Sequence, residues 1–353
     1  MEEEKKHGIQ TIPAKISVIG VGGGGCNTVR RLMSYGKIPG VEYIVVNTDV
    51  KSLDLISGAL SLQIGEHLTH GFGAGGDMRV GAQAAEEGQF MLKRAVKDSE
   101  LAFITAGMGG GTGTGAAPVV ARIAQESGAL VLAVVTTPFS FEGSKRYDTA
   151  LAGIQRLQPN VDNIIVVHND RLLQFTDQET PVGKAFALAD QVVSEGILSV
   201  SQLVNLPGEI NVDLADVKVV MRLSGTAIMV MGEGGGQHPA TDAVEQALSN
   251  PLLNVNMNGA RGVLINFSGG PNLTLGEVNE AATLIARQAD PRATIFFGMA
   301  TPNEGLDGKA KVTLIATGIK APVVANGTKA PVSSGWLSQV GKNIRSETKR
   351  WSR

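Results

Sequence analysis

AGMGGGTGTGAA, residues 106–117, is the stretch on which the reading of this chain turns. Within it, residues 109–115 spell GGGTGTG, so five of seven positions lack a Cβ and the other two are threonines. Backbone this bare exposes N–H groups and lets a bulky anion come close. The apolar run before it, residues 101–104, reads as a strand, and residues 119–124 after it read as a helix. A glycine-rich turn from strand to helix aims free amides and the positive helix end at a phosphate. A loop that was merely flexible would need neither flank.

Working outward, residues 15–21 read as a first buried strand, followed at once by Gly22-Gly23-Gly24-Gly25. A helix is expected over residues 27–35, ended by Gly36 in the C′ position. Further strands are expected at 43–46, 130–136 and 164–167, alternating with helices. That alternation argues for a parallel sheet with helices on both faces. The first glycine loop also fits G-x-G-x-x-G at Gly20, Gly22 and Gly25, and Asp49 ends the next strand where a dinucleotide fold places its ribose acid. A nicotinamide enzyme is therefore the rival reading. The second loop lies outside that fingerprint, and two such loops on neighbouring strands suit a longer polyphosphate. No Gly-Lys pair is followed by Ser or Thr, so a Walker P-loop is excluded. Backbone amides of Gly109, Gly110, Gly111 and Gly113, the hydroxyls of Thr112 and Thr114, and Mg²⁺ would have to hold the phosphates.

Over residues 182–205, Phe186, Ala189, Val193, Ile197, Val200 and Val204 recur at spacings of three and four, which gives one long helix stopped by Pro207-Gly208. Shorter units follow at 227–231, 241–248, 263–267, 275–289, 294–297 and 312–316, which read as a smaller α+β domain. The organisation expected is a polar tail (1–13), a Rossmann-like nucleotide-binding domain (14–181), a central helix (182–208), an α+β domain (209–319) and a mobile basic tail (320–353). With a net charge of −2, nucleic acid is not an expected partner. One cysteine, Cys26, excludes an internal disulfide and a cysteine zinc site. The N-terminus lacks a signal-peptide core and no apolar run is long enough to span a membrane, so a cytoplasmic protein is expected. His67 and His70 lack a third ligand and read as exposed loop residues. Asp213 and Asp216 share one face of a helix's first turn, where capping is the ordinary role of an acid.

With GGGTGTG, PFSFEGSKR (138–146) and NVDLAD (211–216) together, the chain resembles the bacterial tubulin-like cell-division GTPases of the FtsZ family over residues 15–319. The resemblance implies a protein that binds GTP or GDP with Mg²⁺, polymerises head to tail, and works at the mid-cell division site with other division proteins. It implies phosphate and nucleoside contacts from Gly23, Gly24, Gly25, Cys26 and Asn27, and phosphate contacts from Gly111, Thr112 and Gly113. Glu142 and Arg146 would meet ribose and phosphate, Asn169 and Asp190 would read the guanine edge, and Phe186 would stack near the base. Asn211, Asp213 and Asp216 would form a catalytic loop acting on the neighbouring subunit. About 24 residues of helix span roughly 36 Å, which puts that loop out of reach of its own chain's nucleotide. Hydrolysis would then require assembly, and a filament that binds GTP without hydrolysing it is the alternative. Cys26, after the four glycines, is either a thiol of lowered pKa that nucleotide shields or a small packing residue. From Lys320 onward there are seven basic residues and one acid, with Trp336, Leu337, Val340 and Ile344 at helical spacing. This tail could meet an anionic membrane directly, in place of an anchor, or bind another protein.

Overall fold

The computed structural model describes residues 13–175, 179–250, 257–300 and 304–320. The expected tails, 1–13 but for Pro13 and 320–353 but for Lys320, lie outside the described residues, and so does everything inferred for the basic tail. The first half runs β1 (Ile16–Val21), α1 (Gly22–Ser34), β2 (Val41–Asn47), α2 (Val50–Asp54), β3 (Leu60–Gln63), α3 (Glu66–Thr69), α4 (Met78–Glu87), α5 (Gln89–Val96), β4 (Leu101–Gly107), α6 (Gly111–Glu126), β5 (Leu130–Thr137), α7 (Ser144–Leu157), β6 (Asn163–His168) and α8 (Asn169–Leu172). Helix α9 (Val182–Asn205) follows. The second half is β7 (Gly208–Ile210), α10 (Leu214–Met221), β8 (Thr226–Gly235), α11 (Pro239–Leu248), β9 (Gly262–Gly269), α12 (Leu275–Gln288), β10 (Thr294–Ala300) and β11 (Lys309–Ile319).

The strands run in the order β3-β2-β1-β4-β5-β6-β8-β11-β9-β10-β7. The first six are all parallel and take the doubly wound order 3-2-1-4-5-6. Both faces of this half are covered, so its strands are nearly continuous runs of buried apolar residues, as in ISVIGV of β1 and LAFITAG of β4. The second half mixes antiparallel pairs with the parallel pair β9–β10. The halves meet where β6 and β8 share one bridge, Ile165 with Ala227. Sequence periodicity gave no hint of this seam.

Helix α9 occupies the residues its periodicity predicted and fastens the halves together. Leu188, Val192, Val193, Ile197, Val200 and Leu203 join one buried cluster with Val18, Phe103 and Leu132 on one side and Met229, Leu264 and Ile315 on the other. A second cluster lies under α4 to α7, and a third under α11 and α12. Two expected helix boundaries move. Helix α1 begins at Gly22 instead of Asn27, and α6 begins at Gly111, so the glycines form first helical turns instead of preceding them. Glycine disfavours helix, but here close packing overrides propensity. A Cβ on Gly25 would lie 2.2 Å from the Thr105 carbonyl oxygen, and one on Gly115 would lie 2.0 Å from that of Met78. Gly36 ends α1 at φ 106°, as its C′ role requires.

Helices α4 and α6 thus touch backbone to backbone at Gly81 and Gly115. Gly115→Ala should lower stability by about 1–3 kcal/mol in denaturant titrations, the usual cost of overpacking. A loss under about 0.5 kcal/mol, the level of an ordinary surface change, would show that the two helices part easily.

Candidate functional site

A cavity of about 330 Å³ opens at the carboxyl ends of β1, β4, β5 and β6. Chain connections leave β1 toward β2 and β3 on one side, while β4, β5 and β6 follow on the other, so the cavity sits at the switch point of the sheet. A larger cavity of about 840 Å³ lies near the opposite strand ends, among Ile16, Val41, Leu60, Phe90 and Met91. No run of glycines lines it, and none of the residues expected to bind a ligand does, so the smaller one is the candidate site.

Two helices point their N-termini into this cavity, and neither is capped by a side chain. Val21 before α1 and Gly110 before α6 make no capping bond, and neither first turn holds an acid. Asp49, Asp77, Asp213 and Thr274 cap α2, α4, α10 and α12, while α1 and α6, like α3, α5, α7, α8, α9 and α11, have no side-chain cap. The first amides of α1 and α6 are therefore left for an anion. A Cβ on Gly23 or Gly110 would meet no protein atom within 4 Å, so these positions face open space. Behind them the packing is close: Cβ atoms on Gly22 and Gly113 would lie 2.6 Å from Gly113 N and from the Gly107 carbonyl oxygen. The segment between α3 and α4 closes the outer side, with Ala74 and Asp77 against Gly111.

At the other end of the cavity, Phe186, Ala189 and Asp190 enter from the first turns of α9, with Asn27 and Asn169 nearby. The Asp190 carboxylate accepts from Thr28 Oγ1 at 3.3 Å, and burial raises its pKa to about 6 although Arg31 and Arg30 pull it down. Asn169 is buried, and its side-chain oxygen has no partner. Phe186 meets Phe139 edge-on at 5.1 Å and Phe141 at 6.3 Å, and Phe139 stacks on Phe141 at 5.0 Å. Glu142 accepts from Phe139 N at 2.8 Å and pairs with Arg146 at 3.2 Å, which presents both to the cavity.

Of the residues singled out in the sequence, Gly23, Gly24, Asn27, Gly110, Gly111, Thr112, Gly113, Glu142, Arg146, Asn169, Phe186 and Asp190 line the cavity together. Gly107, Met108, Thr136, Pro138 and Ala189 line it too. Thr136 and Pro138 could have been found, because ligands in such sheets sit beyond strand carboxyl ends. Five expectations need correction. Asp49 is no ribose acid: one carboxylate oxygen caps α2 through Lys51 N at 3.1 Å and the other accepts from Ser52 Oγ at 2.8 Å. Thr114 Oγ1 is buried and accepts from Gly109 N at 2.8 Å, which engages that amide, and neither residue lines the cavity. Gly25 is buried against Thr105 and contributes packing. Cys26 is 1 % exposed, its thiol turned toward the Gly20 and Val46 carbonyls, and burial pushes its pKa up to about 12. It is the packing residue, not the activated thiol.

The NVDLAD loop lies past the far end of α9. Asp190 and Asn205 are fifteen residues apart on that helix, a distance of about 22 Å. Asn211 Oδ1 accepts from Gly208 N at 2.7 Å, and Asp213 caps α10 by accepting from Asp216 N at 2.8 Å. The capping role is therefore present. Asp213 is nevertheless exposed, and Asp216 partly so. His67 and His70 are both exposed, around the short helix α3.

Comparison with known proteins agrees with this geometry. Residues 15–177 match the Tubulin/FtsZ family GTPase domain, and residues 225–320 match the FtsZ family C-terminal domain. An FtsZ dimer from M. jannaschii, solved empty, is 41% identical, with 88% of this chain and 89% of that chain covered and a TM-score of 0.83. A tryptophan-to-tyrosine mutant of M. jannaschii FtsZ is 42% identical, with 87% and 92% covered and a TM-score of 0.83. CetZ2 from Haloferax volcanii, in a GTPγS-bound protofilament, shares the fold at 20% identity, with 96% and 100% covered and a TM-score of 0.74. These relatives are archaeal, so the bacterial character in the sequence reading has no support, and neither has the nicotinamide reading.

A thiol with a pKa near 12 is almost wholly protonated at pH 8. Cys26 should therefore react with iodoacetamide on the order of 10³-fold more slowly than a free thiol, equally with and without GTP. Mass-spectrometric labelling rates check this; protection that depends on nucleotide would mean that Cys26 faces the ligand after all.

Proposed function

The chain belongs to the tubulin/FtsZ family, and from that premise we propose that it is a GTP-hydrolysing protein that assembles head to tail into filaments of a cell-division ring. The observation that carries this reading is the separation of two chemistries along α9, with a nucleotide cavity at its start and exposed acids past its end.

The cavity residues fit GTP. The free amides of α1 and α6 meet the phosphates, and Gly23 and Gly110 leave room for them. Asp190 accepts from the two N–H groups on the guanine edge. Adenine would offer that carboxylate a ring-nitrogen lone pair, so the cavity prefers guanine. The unpartnered Asn169 oxygen takes a further donor, and Phe186 covers the base. Mg²⁺, when bound, offsets charge on the phosphates. Among the described residues no three of His, Cys, Asp and Glu stand together, so phosphate oxygens and water would hold the ion.

Asp213 and Asp216 of one subunit then orient the attacking water on the nucleotide of the next, and Asn211 shapes their loop. A head-to-tail contact of this kind is open and repeats without closing, and hydrolysis waits on assembly. The FtsZ C-terminal match over residues 225–320 and the 41% likeness to M. jannaschii FtsZ favour a role in division; work in the cytoplasm at mid-cell with other division proteins is the setting proposed for it. Membrane contact, through the basic tail or an anchor, belongs to the same proposal.

Asn caps helices as well as Asp does, so Asp213→Asn separates capping from catalysis. Asp213→Asn and Asp216→Asn should each cut phosphate release in polymers by about 10²-fold or more, while monomers bind GTP normally. Loss of GTP affinity in the monomer would place these acids at their own chain's nucleotide. Unchanged release would favour a filament whose acids serve as caps alone.

Asp190 must be ionised to accept from guanine, and its pKa is raised to about 6. Guanine-nucleotide affinity should therefore hold above pH 7 and fall about tenfold between pH 7 and pH 5, measured with a fluorescent GDP. Asp190→Asn should bind weakly at every pH; an affinity of the parent chain that is flat from pH 7 to pH 5 would remove Asp190 from the base contact.

A further inference from the structure

Helix α10 carries Asp216 in its first turn and is capped by Asp213, but it is only eight residues long; at its front Leu214 packs on the core that buries Val212. Its inward face buries Val217, Val220 and Met221. Apolar burial holds a helix down without fixing its tilt. Direction comes from the other end, where the last carbonyls of a helix lack partners inside it. The Met221 carbonyl, and the Val220 carbonyl that also accepts from Leu223 N at 3.3 Å, meet buried side chains from opposite halves of the sheet. Thr317 Oγ1, on β11, donates to the Val220 carbonyl at 2.8 Å. Asn163 Nδ2, at the start of β6, donates to the Met221 carbonyl at 3.0 Å, while its Oδ1 accepts from Ile164 N at 3.0 Å and fixes the amide. Thr317 is 0% exposed and Asn163 5%. The next residue, Arg222, reaches Asp162 at 3.6 Å, and Asp162 accepts from Val131 N at 2.8 Å.

Resting on the proposed function, we propose that Asn163 and Thr317 are positioning residues for the acids Asp213 and Asp216. They hold the rear of α10 from both sides of the seam between β6 and β8, so the acids at its front meet the neighbouring nucleotide in one orientation. The helix is about 12 Å long, so a tilt of about 5° at the rear swings its front by about 1 Å. A displacement of that size costs up to about 10²-fold in rate.

Thr317→Val keeps the shape and removes the hydroxyl. In the full chain it should lower phosphate release per polymerised subunit about tenfold. Monomer GTP affinity, the KM for GTP and pelleted polymer mass should stay at parental values, and the melting temperature should fall by no more than a few degrees. Thr317→Ser, which restores the donor, should rescue release, and Asn163→Ala added to Thr317→Val should deepen the loss. Parental release from Thr317→Val, a loss that follows polymer mass, or the same loss in Thr317→Ser would each overturn the assignment. Asp216→Asn is the control that keeps the two readings apart. If it retains release, the acids are not catalytic and the underlying reading fails. If it abolishes release while Thr317→Val has no effect, the positioning role alone fails.

Discussion

Around the nucleotide cavity, backbone has to touch backbone. Gly20 lies against Gly25, Gly25 against Thr105, Gly22 against Gly113, Gly113 against Gly107, and Gly115 against Met78. These contacts bring β1, β4, α1, α4 and α6 to one point, and a Cβ at any of them would push two elements apart. Gly22, Gly25, Gly113 and Gly115 are thus required by packing before any ligand is considered, while Gly23 and Gly110 face open space. That approach in turn brings two helix N-termini side by side at the switch point of the sheet, where their charges add.

The same packing explains which polar groups the cavity keeps for a ligand and which it uses itself. Thr112 faces the cavity, yet its hydroxyl meets Thr48 Oγ1 at 2.7 Å, and Thr114 is tied to Gly109. The loop uses its side chains to hold its own shape and offers mainly amides. Asp190, in contrast, is held in a buried place that raises its pKa, so its charge costs the empty protein stability at neutral pH. The chain carries that cost at one end of α9 and places an exposed acid, Asp213, and a partly exposed one, Asp216, past the other.

Much of this was legible in the sequence, and for physical reasons. Strands buried on both faces show as apolar runs, and a helix packed on both halves shows as a long regular period, so residues 182–205 were read to the end residues. The region from α2 to α5 was not read, because its helices are short and its strand β3 is a half-exposed edge. Side-chain direction was the other blind spot. Cys26, Asp49 and Thr114 lie within a few residues of the ligand-facing groups, but each points into a contact that only the assembled fold supplies. The rear hold on α10 was invisible for the same reason, since Asn163 and Thr317 lie 58 and 97 positions from the carbonyls they bind.

The uncapped helices α1 and α6, the buried carboxylate of Asp190 and the unpaired oxygen of Asn169 are all deficits of the empty chain. Guanine nucleotide would relieve them together. A ligand that binds the folded chain and not the unfolded one adds about 2.7 kcal/mol at a hundred times its Kd. In a cell, surveillance by proteases acts on the unfolded fraction. On this reading, bound guanine nucleotide, GTP or GDP alike, also lengthens the life of each folded copy.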